Sequence, residues 1–420
     1  MNKKIKIVEL FSGIGSQAAA LSNLGYDVEV LGTCEWDMQA FVAYSAIHNQ
    51  KVLLPNVHNM NKEEILKELK HFTLSCDGKQ PISKRTLQSY SLENLQKIYS
   101  SLLITNNLVD VSSVKGKDMP NKIDLLTYSF PCQDLSNVGN IHGYNKGINK
   151  NSGSRSSLLW EVGRILSEMK KNKKHLPRYL VMENVPTLLS KRHISNFNNW
   201  IKDLEKLGYV SKYFPLNAYE FGIPQHRQRL LMLSIYCGNN NSLRKRINDY
   251  LKTLDSNKII SDYRKSKYYK RINVKDLVRT DYSRKKYFDE AITSTPNNTP
   301  SRKEIWKNNP KIIDENNIIT NEKFIRTLTT KQDRHPNSGN IYFESGIKGK
   351  SKYRFLTPRE CLLFMGFKDE DYENIIKFNS KHRGTTLFPR DKIVRMAGNS
   401  IPVQLLEGLF YQIEKIEKMY

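Results

Sequence analysis

The sequence predicts an α/β protein: a doubly wound, mixed but mainly parallel sheet, joined to a smaller, irregular second domain. Three observations carry that expectation. An apolar run at residues 5–10 feeds a glycine-rich turn and then a helix-forming stretch. Short apolar runs and amphipathic stretches keep alternating to about residue 235, the pattern of a parallel sheet covered by helices on both faces. Beyond that point the chain turns polar, basic and rich in turn residues.

Taken in order, Ile5, Ile7, Val8 and Leu10 make the first strand. Phe11, Ser12, Gly13, Ile14 and Gly15 turn the chain into a helix from about Gln17, which Gly25 can end by adopting a left-handed conformation. A second strand over 28–31 runs up to Glu35, and its helix carries Ala40, Phe41, Tyr44 and Ile47 on one face. Next come a strand at 123–128, a helix from Ser157, a strand at 179–182 and a helix up to Leu207. Strand-like segments at 210–216 and 230–235 follow closely. Residues 71–121 are a polar, partly helical insertion in this alternation. Between 241 and 280 stand 12 Lys or Arg against 4 acids, interleaved with Tyr250, Tyr263, Tyr268 and Tyr269. Residues 293–300 are turn-rich. From Val403 a last helix carries Leu406, Leu409, Phe410, Ile413 and Ile416 as one stripe, which should dock on the first domain. The expected division is therefore 1–236, completed by 394–420, against a second domain over 237–393.

With 420 residues the chain can bury two cores. Its 67 Lys and Arg against 42 Asp and Glu leave a net charge of +25, which points to a polyanionic partner. A lysine-rich surface that only keeps the protein in solution is the plainer alternative. The five cysteines show neither a CxxC pair nor metal-ligand spacing, so a reducing cytoplasm is expected and a disulfide or metal scaffold is not. No apolar run is long enough to span a membrane, and no apolar signal segment follows the basic start.

Four clusters carry chemistry. The first is the turn Phe11-Ser12-Gly13-Ile14-Gly15, with Glu35 standing 22 residues beyond Gly13. Glycine lets backbone approach a ligand, and an acid closing the second strand can accept from ribose hydroxyls. A dinucleotide dehydrogenase would show the same pair. The second is Ser129-Phe130-Pro131-Cys132-Gln133, directly after a strand. An isolated cysteine is usually a small core residue. Proline and glutamine at its flanks, on a loop that opens into the crevice of a parallel sheet, favour a nucleophile instead. The third is Glu183-Asn184-Val185, again at a strand end, where a helix-capping acid is the structural alternative. The fourth is Gln225-His226-Arg227-Gln228-Arg229, whose alternation should put both arginines on one side of an extended chain. A basic edge guarding a strand is the competing view.

In this order, F-x-G-x-G, Glu35-Trp36, P-C-Q, E-N-V, Q-x-R-x-R and Gly398-Asn399-Ser400 resemble the DNA cytosine-5 methyltransferase family, restriction-modification type. The stretches Arg155 to Glu161, Arg326 to Thr329 and Leu356 to Cys361 fit it too. The resemblance implies a Rossmann-like fold that binds S-adenosyl-L-methionine, releases S-adenosyl-L-homocysteine and acts on double-stranded DNA. It implies that the Cys132 thiolate adds to C6 of a flipped-out cytosine, that Glu183 contacts the ring, and that Arg227 and Arg229 balance charge. Phe11, Gly13, Gly15, Glu35, Trp36, Pro131, Leu158, Asn399 and Ser400 would form the cofactor pocket. The family has an Asp after the third strand for the adenine amine; here the nearby His58-Asn59-Met60 makes Asn59 the substitute. The basic segment after Ile235 is expected to be the target-recognition region. A monomer in the cytoplasm, associated with the nucleoid, is expected, with a separately acting restriction endonuclease as a possible companion. Relatives that methylate RNA, and a catalytically silent DNA binder, are the rival readings. The long region after the catalytic motifs argues against the first, and the complete catalytic set against the second.

Overall fold

A computed structural model describes residues 3–131, 148, 155–332, 336–382 and 384–418. The chain forms two compact units, one of residues 1–216, 228–268 and 406–420, the other of 217–227 and 269–405.

The first unit is built on a six-stranded sheet in the order β2-β1-β3-β4-β6-β5. The strands are β1 Lys3–Leu10, β2 Tyr26–Cys34, β3 Leu125–Tyr128, β4 Tyr179–Asn184, β5 Tyr209–Asn217 and β6 Gln228–Tyr236. β1 runs parallel to β2 and β3, and β3 parallel to β4, while β6 is antiparallel to β4. The doubly wound, mainly parallel expectation holds. The order reverses at β1 and β3, so the carboxyl ends of these strands open a crevice of the kind that takes ligands in such folds. α1, Ser16–Asn23, is closed by Gly25 at φ 78°, as the sequence suggested. α2, Met38–His48, is capped by Asp37, whose side chain accepts from the Gln39 amide. One side of the sheet buries Val8, Leu10, Leu126, Tyr128, Leu180 and Met182 against helices Leu159–Lys171 and Ile194–Leu207.

The basic stretch after Ile235 departs from expectation. Its helices Asn241–Thr253 and Ser256–Arg264 belong to the first unit and bury Leu243, Ile247, Leu251, Ile259 and Tyr263. Three of the tyrosines interleaved with its lysines face the closing helix, Val403–Glu417: Tyr250 donates to Gln412 at 2.8 Å, Tyr263 bonds to Glu407, and Tyr268 packs edge-on to Tyr411. Apolar spacing within these helices outweighs their charge, so the boundary falls at Tyr268 and not at 236. At the other end the first unit takes up the chain at Leu406, twelve residues later than the expected 394.

The second unit carries a small sheet, β7 Lys311–Ile313, β8 Asn340–Tyr342 and β9 Tyr353–Arg354, beside a cluster of Trp306, Tyr353 and Phe355. Its framework is ionic. Arg354 and Glu360 are fully buried and joined by two hydrogen bonds of 2.8 Å, and Glu360 also completes a capping box with Thr357. Arg359 is held by Glu290, Asp369 and Glu373. Among the described residues no helix is long and apolar enough to cross a membrane.

Candidate active site

The glycine turn closes over the end of β2. Phe11 sits at φ 58°, a conformation bulky residues rarely take, and the amides of Phe11 and Ser12 both donate to the Cys34 carbonyl. Gly13 and Gly15 also have positive φ. The Glu35 carboxylate receives the Gly13 amide at 3.0 Å and the Asp37 amide at 2.9 Å, so loop and acid are one construction. Burial, and then the charge of Asp37, raise the Glu35 pKa to about 7. Phe11, Gly13, Gly15, Glu35 and Trp36 are thus brought together.

The insertion supplies a wall here. Ser75 exchanges backbone hydrogen bonds with Trp36 and Met38, and the Tyr90 hydroxyl accepts from Gln39. Farther along, Asn107 grips Glu35 at two points: its carbonyl accepts the Glu35 amide at 3.0 Å and its amide donates to the Glu35 carbonyl at 2.9 Å. Val109 is then forced to φ 63°, a costly state for a β-branched residue, and its carbonyl receives the Cys34 thiol. Burial pushes that thiol well up, with Glu35 and Asp110 adding negative charge nearby. Asp110 follows Val109, and its carboxylate accepts from the amide and the hydroxyl of Ser112 at 3.0 and 2.7 Å. Asn59 itself is exposed, capping the four-residue helix Pro55–His58, and is not brought to Glu35.

At the end of β3 the Pro131 carbonyl accepts from Ser156 at 2.6 Å, and the Phe130 carbonyl accepts from the Asn184 side chain at 3.0 Å. Asn184 and Ser156 thereby fix the approach to Cys132; both were in recognised motifs, but neither had been given a task. Cys132 lies outside the described residues. Leu158 ends a short 3-10 turn that leads into helix Leu159–Lys171 and packs on the core. Glu183, one residue before Asn184, forms an ion pair with Arg229 at 2.9 Å, both side chains largely buried.

The two arginines have different partners. Arg229 lies on β6 in the first unit, whereas Arg227 belongs to the second and is 2% exposed. Its guanidinium donates to the carbonyls of Leu328, Gly398 and Ser400 at 2.7, 2.8 and 3.0 Å. Arg227 thus holds the backbone of two other motifs, a positioning task. β6 begins at Gln228, two residues before the expected start at Leu230, so Arg229 lies on the strand and Arg227 just before it. Asn399 closes helix Arg390–Asn399 in the second unit, and the Ser400 hydroxyl donates to Met396.

The crevice of the first unit has the features of a nucleoside-binding site. A Cβ built on Gly13 meets nothing within 4 Å, so the loop faces open space. The Ser12 hydroxyl is buried with no partner among the described residues. Glu35 and Asp110 add acceptors for hydroxyl and amine donors.

Comparison with known proteins agrees with this geometry. The profile of the family described as C-5 cytosine-specific DNA methylase matches residues 5–78 and 73–415. An orphan methyltransferase of Spiroplasma monobiae, M.SssI, is 31% identical over 98% of this chain and 97% of its own length. A type II methyltransferase of Lactococcus lactis, M2.ScrFI, is 31% identical over 98% and 99%. Among solved structures, the S. pombe Dnmt2 methyltransferase is similar in fold, with a TM-score of 0.58 at 15% identity over 98% of this chain and 99% of its own.

Proposed function

The chain belongs to the C-5 cytosine-specific DNA methylase family, and from that premise we propose how its own residues transfer a methyl group to C5 of cytosine in DNA. S-adenosyl-L-methionine, when bound, supplies an electrophilic methyl on sulfonium. Glu35 accepts from the ribose hydroxyls, Trp36 packs on the adenine, Asp110 takes the adenine amine, and Phe11, Gly13 and Gly15 present backbone to the methionine part. Pro131 and Leu158 are assigned to the same pocket by their motifs.

The Cys132 thiolate forms a bond to C6 of the flipped cytosine, and the electron pair of the 5,6 double bond becomes available at C5. Glu183 binds N3 and the exocyclic amine, favouring the charge that builds on the ring. Arg229, holding Glu183, stabilises negative charge near O2. C5 takes the methyl group; a base then removes the C5 proton and the sulfur leaves C6, restoring the aromatic ring. Flipping the base out of the duplex costs roughly a few kcal/mol, which phosphate contacts by the basic surface offset.

The observation that carries this reading is the Glu183–Arg229 pair beside Asn184, whose amide anchors the carbonyl two residues before Cys132. The second unit is assigned to target recognition. Host-DNA marking is the proposed role; an orphan and a type II relative at equal identity make it compatible with and without a paired endonuclease. DNA containing 5-fluorocytosine is the test, because fluorine cannot leave as the C5 proton does. Wild type should give a denaturation-resistant adduct and Cys132→Ala none. Absence of the adduct with wild type overturns the mechanism.

A further inference from the structure

Behind the glycine turn lies a set of buried polar groups with no part in the mechanism above. Glu9, on β1, is fully buried. One of its oxygens accepts the Ala18 amide at 3.3 Å, in the first turn of α1, and the other accepts the Tyr44 hydroxyl. Among the described residues no cation faces it: the groups acting on its carboxyl are the Tyr44 hydroxyl and the Ala18 amide. The Tyr44 ring packs against His48 with centroids 4.5 Å apart. Nε2 of His48 lies 3.0 Å from the Ile14 carbonyl. With its pKa pushed down to about 4 by burial, the neutral imidazole donates there. The contacts therefore close a circuit: Ile14 and Gly15, α1, Glu9, Tyr44, His48 and back to Ile14. A Cβ on Gly15 would lie 2.2 Å from His48 Nε2 and 2.6 Å from the Tyr44 ring, so nothing but glycine passes over this floor.

We propose that Glu9, Tyr44 and His48 are positioning residues for the cofactor, an internal strut that sets the height of the Gly13–Gly15 turn above the sheet. A buried acid with no counter-ion is an expensive way to cap a helix; a serine at the cap would do it on the surface. Here the acid reaches the helix from beneath and ties it to α2, so the turn cannot rise or tilt without breaking a buried hydrogen bond. The backbone of the turn is thereby held in place before the cofactor arrives, which removes an ordering cost from binding.

This inference rests on the cofactor reading given above, and its test separates the two. S-adenosyl-L-homocysteine is titrated calorimetrically into the full chain as wild type, Tyr44→Phe, Gly15→Ala and the double variant, with urea unfolding to confirm that each is folded. Tyr44→Phe should weaken binding about tenfold, the size of one buried hydrogen bond to a charged group. Gly15→Ala should weaken it further, and the double variant should bind no worse than Gly15→Ala alone, since both act on one strut. Glu9→Gln, which keeps an acceptor for Ala18 and a polar partner for Tyr44, should restore most of the affinity that Glu9→Ala loses. Binding by Tyr44→Phe within twofold of wild type, or fully additive penalties, would overturn the strut. Wild type that fails to bind at all would instead overturn the cofactor reading.

Discussion

Glu183 and Arg229 form the best-defined part of the chemistry, and the pair explains why the second arginine of Q-x-R-x-R differs from the first. Arg229 neutralises a largely buried carboxylate at 2.9 Å, whereas Arg227 spends its donors on three carbonyls. Arg229→Ala leaves Glu183 without this cation and is expected to lower kcat by about 10²–10³-fold, with DNA affinity changed far less. Arg229→Lys keeps charge but loses the planar fork, and should recover only part of the rate. Single-turnover methylation and a binding isotherm on the same preparations measure the two effects. Asp110 and Asn59 make a second contrast. Asp110→Ala should raise the Kd for S-adenosyl-L-homocysteine by roughly tenfold, one charged hydrogen bond, while Asn59→Ala should leave it unchanged. Equal effects from both would remove Asp110 from the adenine site.

Among the elements, the helix Pro358–Leu363 shows how a sequence motif can be read twice. Leu356-Thr357-Pro358-Arg359-Glu360-Cys361 contributed to the family resemblance, and locally it is a capping box with proline at the first helical position. In the folded unit Glu360 does more, since it also neutralises Arg354 and accepts the Arg279 amide. Removing one partner strands a charge in a fully buried place, so Arg354→Ala or Glu360→Ala should cost about 3–5 kcal/mol in urea unfolding. Replacing both with apolar residues of similar volume should cost much less. Additive losses would show that the two groups are not coupled. The helices Asn241–Thr253 and Ser256–Arg264 carry the opposite lesson: a basic, tyrosine-studded stretch looked like a nucleic-acid surface, yet Tyr263 is 1% exposed and bonded to Glu407.

On the scale of the molecule, the first unit stores two raised carboxyls, Glu9 and Glu35, each with a pKa of about 7 against 4.5 for a free glutamate. Burial is the main cause in both. The native state therefore holds protons that the unfolded chain has released between about pH 4.5 and 7, so stability is greatest from these groups below 4.5 and declines as pH rises through 7. Chemical unfolding across that range should show the decline, and Glu9→Gln should flatten it. An unchanged slope in that variant would mean that Glu9 keeps an ordinary pKa.

Much of this protein was determined by the sequence alone, because the information is local. The alternation of apolar runs fixes strand and helix, Gly25 ends α1, and the acids and the P-C-Q loop follow strands whose carboxyl ends must share one edge of a parallel sheet. Adjacency in the chain was enough to place Glu35 beside the glycine turn and Glu183 beside the end of β3. Tertiary structure alone decided the matters that depend on distant segments. Asn107 reaches Glu35 through a long insertion, Arg227 and Arg229 take different partners two residues apart, and the basic helices turn their tyrosines inward to a helix from the far end of the chain. In each case the deciding force is a buried or half-buried contact between residues 72, 173 and 162 positions apart, whose satisfaction no local propensity or charge count records.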